Sequence, residues 1–360
     1  MEDTTSARSH ELMFALNETS YTDHFSHTFS EIIIPRMLLQ FAVLLPFHIP
    51  VPDNTCLTLG ADDHSLCTFH LSSVHHNQAI TAGIISEEPI EFPMRKSRVE
   101  MVFTSDNLIE LDSENDSLSH YFDILLDGLN ALIESYIVLK RDVRACRVTK
   151  EMLEFACVYR LIDLVPWQEL TMGLFLLNTN APSERAELSE RDLDEWVWYT
   201  KVISRGENPF VVAVEMSLVA QRQLRNGLYR ETVVSAQTSV ECFLGTLIVH
   251  MLIQEGKSLA EAESFREDTA FMTLVKTHFQ HRLGGKWDLG DIKSVAGEWN
   301  EATYKLRNRV AHAGYHPSFT EASDALDKAE RFVASIVQLV KAKRKRYPDV
   351  WKYLYYPRPK

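Results

Sequence analysis

ETVVSAQTSVECFLGTLIVHML, residues 231–252, decides the fold of the C-terminal half. Val233, Ala236, Val240, Leu244, Leu247, Ile248 and Met251 recur at three and four, the spacing of one broad apolar helix face. Glu241 projects between Leu244, Ile248 and Leu252, at the edge of that face. A carboxylate there is costly unless a partner meets it. An arginine from a neighbouring helix is a physically sensible partner, and RNRVAH at 307–312 supplies candidates.

Working outward, helices are predicted near 210–226, 230–254, 260–282, 291–313 and 320–345. Asn-Gly, Glu-Gly, Gly-Gly and Gly-Tyr-His-Pro mark the connections. Five helices with short connections imply an antiparallel bundle. Upstream, NTNAPSERAELSERD (178–192) leads into a helix that Ser189 can cap, and RGENPF (205–210) reads as a hinge. From Arg36 to about Val102 the pattern is strand-like: RMLLQFAVLLPFHIPV, TCLTLG, CTFHLSSV, AITAGII and RVEMVFT lie between turn formers. Phe122, Leu125, Leu126, Leu129, Ile133, Tyr136 and Ile137 predict an amphipathic helix over 118–140. FACVYRLIDLV and LTMGLFLLN fit strands or short buried helices equally. The expected fold class is α+β: a poorly ordered N-terminus at 1–30, a mixed β/α domain at 31–205, a helical bundle at 206–345 and a basic aromatic tail at 346–360.

The chain has 360 residues and a net charge of −13. Residues 1–208 hold 15 Lys and Arg against 33 Asp and Glu, a balance of −18; residues 209–360 hold 22 against 17, a balance of +5. The last twenty residues carry 8 basic groups against Asp349 alone. Nucleic acid would be repelled by the first part and tolerated by the second, with the tail as its contact. Cys56, Cys67, Cys146, Cys157 and Cys242 form no CxxC pair and leave one over, which suits a reducing compartment. MEDTTSARSH lacks the basic-then-apolar order of a secretory signal. The longest apolar run, Met37 to Val51, is broken by Gln40, Pro46, His48 and Pro50 and is too short to span a bilayer. A cytoplasmic protein with no membrane partner is expected.

On the helix of the opening motif, a turn of about 100° per residue puts Trp299, Ala302, Leu306, Val310 and Ala313 in one stripe. Asn308, Arg309 and His312 fall on the far or flanking side, with Asn308 and His312 one turn apart. Arg307 lies on the opposite flank of the stripe. Gly314 and Pro317 end the helix just after His312, where its dipole favours a protonated imidazole.

LRNRVAHAGY (306–315), preceded by a helix reading SAQTSVECFLGTLI (235–248), resembles the HEPN superfamily of helical domains. Its ribonuclease members carry an Arg, a polar residue and a His spaced R-x(4–6)-H. Arg307, Asn308 and His312 match that pattern, and Glu241 corresponds to the acidic residue often found on the second bundle helix. The similarity covers roughly 210–340. No family is matched by residues 1–205, for which the N-terminal sensing domains of Apea-like HEPN defence proteins offer an analogy.

The resemblance implies a metal-independent endoribonuclease that needs no cofactor and works as a homodimer across the bundle. A ribose 2′-hydroxyl would attack its own phosphate, with His312 handling the proton, Arg307 stabilising the phosphorane-like state and Asn308 orienting the ribose or the histidine. Arg309 would be an auxiliary phosphate contact. The competing expectation is a non-catalytic adaptor whose bundle dimerises, with the Arg307–Glu241 pair purely structural. In either case the N-terminal domain is a place for a protein or ligand trigger, and its acidity could compete with RNA for the basic tail.

Other candidates are thinner. Asp62, Asp63, His64, Cys67, His70, His75 and His76 gather within fifteen residues but match no standard zinc spacing, and His24 and His27 fare no better, so no metal is expected. In KAKRKRYPDVWKYLYYPRPK, Lys341, Lys343, Arg344, Lys345 and Arg346 interleave with aromatics as in single-strand binders. The alternative is a solvated helix end followed by an extension that packs through Trp351, Tyr355 and Tyr356. No phosphate-cradling glycine loop, nucleophile elbow or kinase motif occurs.

Overall fold

The computed structural model describes residues 14–28, 34–80, 90–111, 116–177 and 187–355, with side chains outside the description at 25–28, 61, 75–80 and 90–94. The chain is α+β and divides into two compact units, Met1–Pro182 and Ser183–Lys360. The helix capped by Ser189 therefore belongs with the helical unit, upstream of the hinge expected at 205–210.

The first unit is built on an antiparallel sheet of six strands: β1 (Met37–Leu44), β2 (Thr55–Asp62), β3 (Ser65–Ile80), β4 (Ile90–Ser105), β5 (Ala156–Asp163) and β6 (Gln168–Leu176), in the order β2-β3-β4-β1-β5-β6. The two segments that fitted strand or helix equally, 155–165 and 170–178, thus pair as a hairpin, Tyr159 opposite Gly173. Of AITAGII, residues 79–80 end β3 and the rest lies outside the described residues.

Alternation along the central strand explains the layering. Leu39, Phe41 and Val43 point to one face, where helix α2 (Ser117–Lys140) covers them with Phe122, Leu125, Leu129 and Ile133. Leu38 points to the other, where it meets Leu16, Tyr21, Leu66, Val102 and Ile162. Residues 14–24 therefore cover the second face, and helix α1 (Glu18–Thr28) belongs to this segment. The expectation of a structureless N-terminus does not hold for residues 14–28: Phe14, Leu16 and Tyr21 are apolar and spaced to cover a sheet, and all three are buried. Residues 1–13 and 29–30 lie outside the description.

The second unit is helical: α3 (Glu190–Ser204), α4 (Val211–Arg225), α5 (Tyr229–Gln254), α6 (Leu259–Asp268), α7 (residues 271–283), α8 (residues 295–313), α9 (Phe319–Ala342) and α10 (Pro348–Leu354). Helix α5 is central; α4, α6, α8, α9 and α10 all pack on it. Its seven predicted face residues are buried, and so are Gln237 among them and Thr232, Ser239, Phe243, Val249 and Leu252 around them. That burial accounts for its apolar length. Among the described residues it alone is long and apolar enough to cross a membrane, and 67% of its apolar window is buried within the unit.

Three expectations change here. The helix predicted at 260–282 is interrupted, because Thr269 and Ala270 take extended backbone between α6 and α7. The stripe on α8 is not continuous. Residues Asn300–Lys305 form a π-helical segment, and each such turn takes up an additional residue. Trp299 consequently packs in the main core against Phe332, while Leu306 and Val310 enter a separate cluster with Val233, Ala322 and Ala325. Thr303 is fully buried and donates to Ala325 O at 2.7 Å, whereas Ala302 is only half-buried and Ala313 is exposed. Finally, the tail at 346–360 begins as part of the bundle: Tyr347 and Val350 are 0% exposed and α10 follows directly.

Candidate functional site

The candidate site grows from where α8 crosses α5. The Arg307 guanidinium forms an ion pair and hydrogen bond with Glu241 Oε1. That oxygen also accepts from Gln237 Nε2 at 3.0 Å, one turn earlier on α5. Gln237 is 1% exposed, and its own carbonyl oxygen accepts from Trp299 Nε1 at 3.1 Å. Indole N–H is a donor only, so it fixes which end of the Gln237 amide faces Glu241. The result is a directed chain from Trp299 through Gln237 and Glu241 to Arg307, with the Tyr304 ring 5.6 Å from the guanidinium. Sequence reasoning missed Gln237; the signal was a polar residue one turn before Glu241 on an otherwise apolar side.

The π segment has a direct consequence for this geometry. In a uniform α-helix, eight residues turn about 800°, leaving Arg307 about 80° away from Trp299. One additional residue in the turn subtracts about 100°, which brings Arg307 close to the Trp299 side and so towards α5.

His312 and Arg309 have other surroundings. His312 is exposed in the last turn of α8. Asn308, one turn before it, is half-buried. Gly314 caps the helix at φ 65°, and its N–H and that of Tyr315 both return to Arg309 O. The Arg309 guanidinium lies 3.7 Å over the Tyr315 ring, and the Tyr315 hydroxyl donates to Glu321 at 2.9 Å. Burial raises the Glu321 carboxyl, but the Ser318 N–H, the Tyr315 and Ser318 hydroxyls and the Arg309 charge outweigh it, and its pKa lies below the ordinary carboxylate value. Within one chain, then, Arg307 is engaged with Glu241, Arg309 with Tyr315, and His312 faces outward.

The five basic residues at the end of α9 are all exposed. Arg344 donates to Lys341 O at 3.2 Å, and Arg346 reaches Glu255 at 3.4 Å while lying over Tyr347. Trp351 packs on the core and stacks on Tyr355 at 5.5 Å. Tyr356 lies outside the described residues.

In the first unit, strand alternation separates the residues that suggested a metal. Cys67 points into the core under α2, whereas His70 points to the opposite face. His64 pairs with Asp106 at 3.0 Å in the open. No group of three His, Cys, Asp or Glu side chains able to hold a metal occurs among the described residues. The side chains of His27, His75 and His76 fall outside them.

What the alternation builds instead is a buried polar patch beneath residues 14–16. Glu100, 1% exposed, accepts from Ala15 N at 2.6 Å, Leu16 N at 2.9 Å and Gln40 Nε2 at 2.7 Å, and pairs with Arg98 at 3.2 Å. Arg160 donates to Leu16 O and Gln40 Oε1 and lies 4.4 Å over the Phe14 ring. A carboxylate and a guanidinium thus hold both polarities of a short stretch of backbone.

Comparison with protein-family models, with curated proteins and with solved structures returns no match to this chain.

Proposed function

We propose that the helical unit is a HEPN-type bundle and a metal-independent endoribonuclease, completed across a homodimer. The observation that carries this reading is the Arg307–Glu241 pair, held from behind by Gln237 and Trp299, on the helix that ends with an exposed His312. A guanidinium oriented by a carboxylate keeps its remaining N–H groups for phosphate oxygens. An exposed imidazole at a helix C-terminus is placed to give or take a proton at a bound ribose. Since Arg307 and His312 have different surroundings in one chain, a second copy supplies the missing half. Lys341, Lys343, Arg344 and Lys345 extend the path for the RNA backbone, and Arg346, tied to Glu255, contributes less. The setting is a cytoplasmic defence or toxin effector, controlled through the N-terminal unit.

The second reading, a dimerising adaptor, draws on the same pair: Arg307 is already neutralised by Glu241, as a structural ion pair is. Incubation with total RNA in EDTA, beside His312→Ala, separates the two. Cleavage leaving 2′,3′-cyclic phosphate and 5′-hydroxyl ends, lost in the variant, supports the nuclease. Cleavage that persists in His312→Ala sinks this mechanism, and no cleavage by the unaltered protein favours the adaptor.

A further inference from the structure

We propose that the cavity beneath residues 15–24 of the first unit binds an uncharged, hydrogen-bonding small molecule of nucleoside size. The cavity measures about 460 Å³, within the roughly 300–1,000 Å³ typical of small-ligand sites. Asn17, Ser20 and His24 line one side, from the N-terminal segment; Asn54, Cys56 and His70 line the other, from β2, its preceding turn and β3. Both walls are fixed. The strands belong to the sheet, and the N-terminal segment is fastened by Glu100 and Arg160 to its backbone and by Tyr21, whose hydroxyl donates to Thr104 at 3.1 Å.

The chemistry of the walls selects the ligand. Among the described residues they present two imidazoles, two amides, a hydroxyl and a thiol, and no Asp, Glu, Lys or Arg; His24 Nε2 already shares a hydrogen bond with Thr58 Oγ1 at 3.0 Å, and the Ser20 hydroxyl bonds Asn17. Burial pushes the His24 pKa down, and His70 nearby adds to this. His70 is also held below its ordinary value, by burial and Arg98 against the pull of Glu100. Burial, then Glu100, raises the Cys56 thiol, so it stays protonated. An anion finds no cation among the described lining residues. A cation finds no free carboxylate either, because Glu100 behind His70 is engaged with Ala15, Leu16, Gln40 and Arg98.

One group on the sheet side is unsatisfied. His70 Nε2 is 3.2 Å from Asn54 Oδ1; a carbonyl oxygen can only accept, so this hydrogen bond requires the tautomer with its proton on Nε2. Nδ1 is then an acceptor; it makes no hydrogen bond within the protein, and its side chain is 5% exposed. Glu100 Oε2 stands 3.9 Å from it, so on this side the ring faces a second acceptor, itself engaged with Leu16 N and Gln40 Nε2. Asn54, which orients the ring, holds a left-handed backbone at φ 65°. A ligand with mixed donors and acceptors fits these walls, as a base edge or a ring of sugar hydroxyls does.

Because such a ligand touches both the N-terminal segment and the sheet, its binding must slow the detachment of that segment. At ten times its Kd the slowing is about tenfold. The test is amide hydrogen exchange at Ala15 and Leu16 in the full chain, with the four ribonucleosides, the free bases, ribose and the 5′-monophosphates as probes. The expected result is that at least one nucleoside slows these amides while those of β1 are unchanged. The base and ribose arms show which half is read, and the corresponding monophosphate protects less. In His24→Phe and in the milder Ser20→Ala the protection falls at least threefold. The proposal is overturned if no nucleoside, base or ribose slows the two amides at millimolar concentration. Stronger protection by monophosphates, or protection unaltered in both variants, overturns it as well.

Discussion

Arg307 and His312, five residues apart on one helix, have different surroundings: the guanidinium is bound to Glu241 on α5, while the imidazole is exposed at the helix end. About 500° of helical turn separates them, which leaves them roughly 140° apart around the axis. Within a single chain, therefore, one of these groups is oriented by a partner and the other is open.

Charge and geometry at Arg307 are separable by substitution. Arg307→Lys keeps a cation for Glu241 but loses the planar fork. The side chains of the pair are 25% and 35% exposed, so solvent screening limits its worth to about 0.5–1 kcal/mol. Arg307→Lys should leave the urea midpoint nearly unchanged, yet on the proposed nuclease reading it should lower kcat for RNA cleavage by about 10²–10³-fold. Unaltered turnover in Arg307→Lys would assign Arg307 a structural role.

The Trp299–Gln237 contact should behave as a buried polar pair. Trp299→Phe keeps a ring over Phe332, now stacked at 4.4 Å, but strands the Gln237 carbonyl oxygen without its donor. The expected cost is about 1–3 kcal/mol, read from urea denaturation by far-UV circular dichroism. Trp299→Phe combined with Gln237→Leu removes both polar partners and should cost less than the sum of the single changes. Additive losses would mean that the indole N–H does not orient the amide.

Some of this was legible in the sequence for clear physical reasons. The buried face of α5 and the helix over 117–140 declare themselves by apolar period, and Glu241 declares a partner because its position at the edge of that face demands one. The phase of α8 did not, since nothing in NEATYK announces a π segment, and one additional residue there moves every later side chain. Glu100 reads as an ordinary polar position in RVEMVFT. It is buried only because residues 14–24 cover that face, a contact about 85 residues away in the chain. The hairpin at 156–176 was ambiguous because short apolar runs satisfy strand and buried helix alike.

Glu100→Gln tests the fastening of the N-terminal segment. The neutral amide can accept from only one side, so one of the Ala15 and Leu16 amides loses its acceptor, and Arg98 loses its counter-charge. Breaking a buried charged network from one side costs about 3–5 kcal/mol. The loss should appear first as local release, with Ala15 and Leu16 exchanging faster than the amides of β1 and residues 14–28 becoming open to protease. Equal acceleration across the whole sheet would show that the segment and the sheet open only together.

Glu255 makes the stability of the helical unit depend on pH in a defined direction. It accepts from Arg282 at 3.0 and 3.1 Å and from the Tyr347 hydroxyl at 2.7 Å, joining the ends of α5 and α7 to the start of α10. Burial raises its carboxyl, but the hydrogen bonds from Tyr347 and Arg282 and the charges of Arg282 and Arg346 outweigh this, and its pKa lies below the ordinary 4.5. A group with a lowered folded pKa binds fewer protons folded than unfolded, so its stabilisation is complete above the unfolded value and is lost as pH falls through the folded one. The urea midpoint of the helical unit should thus decline as pH is taken below 4.5. Glu255→Gln should start lower at neutral pH and show a flatter decline across the same window, because the titrating carboxyl is gone. A variant curve parallel to that of the unaltered protein would place the acid sensitivity in other carboxylates, with Glu321, lowered by Ser318, Tyr315 and Arg309, as the next to replace.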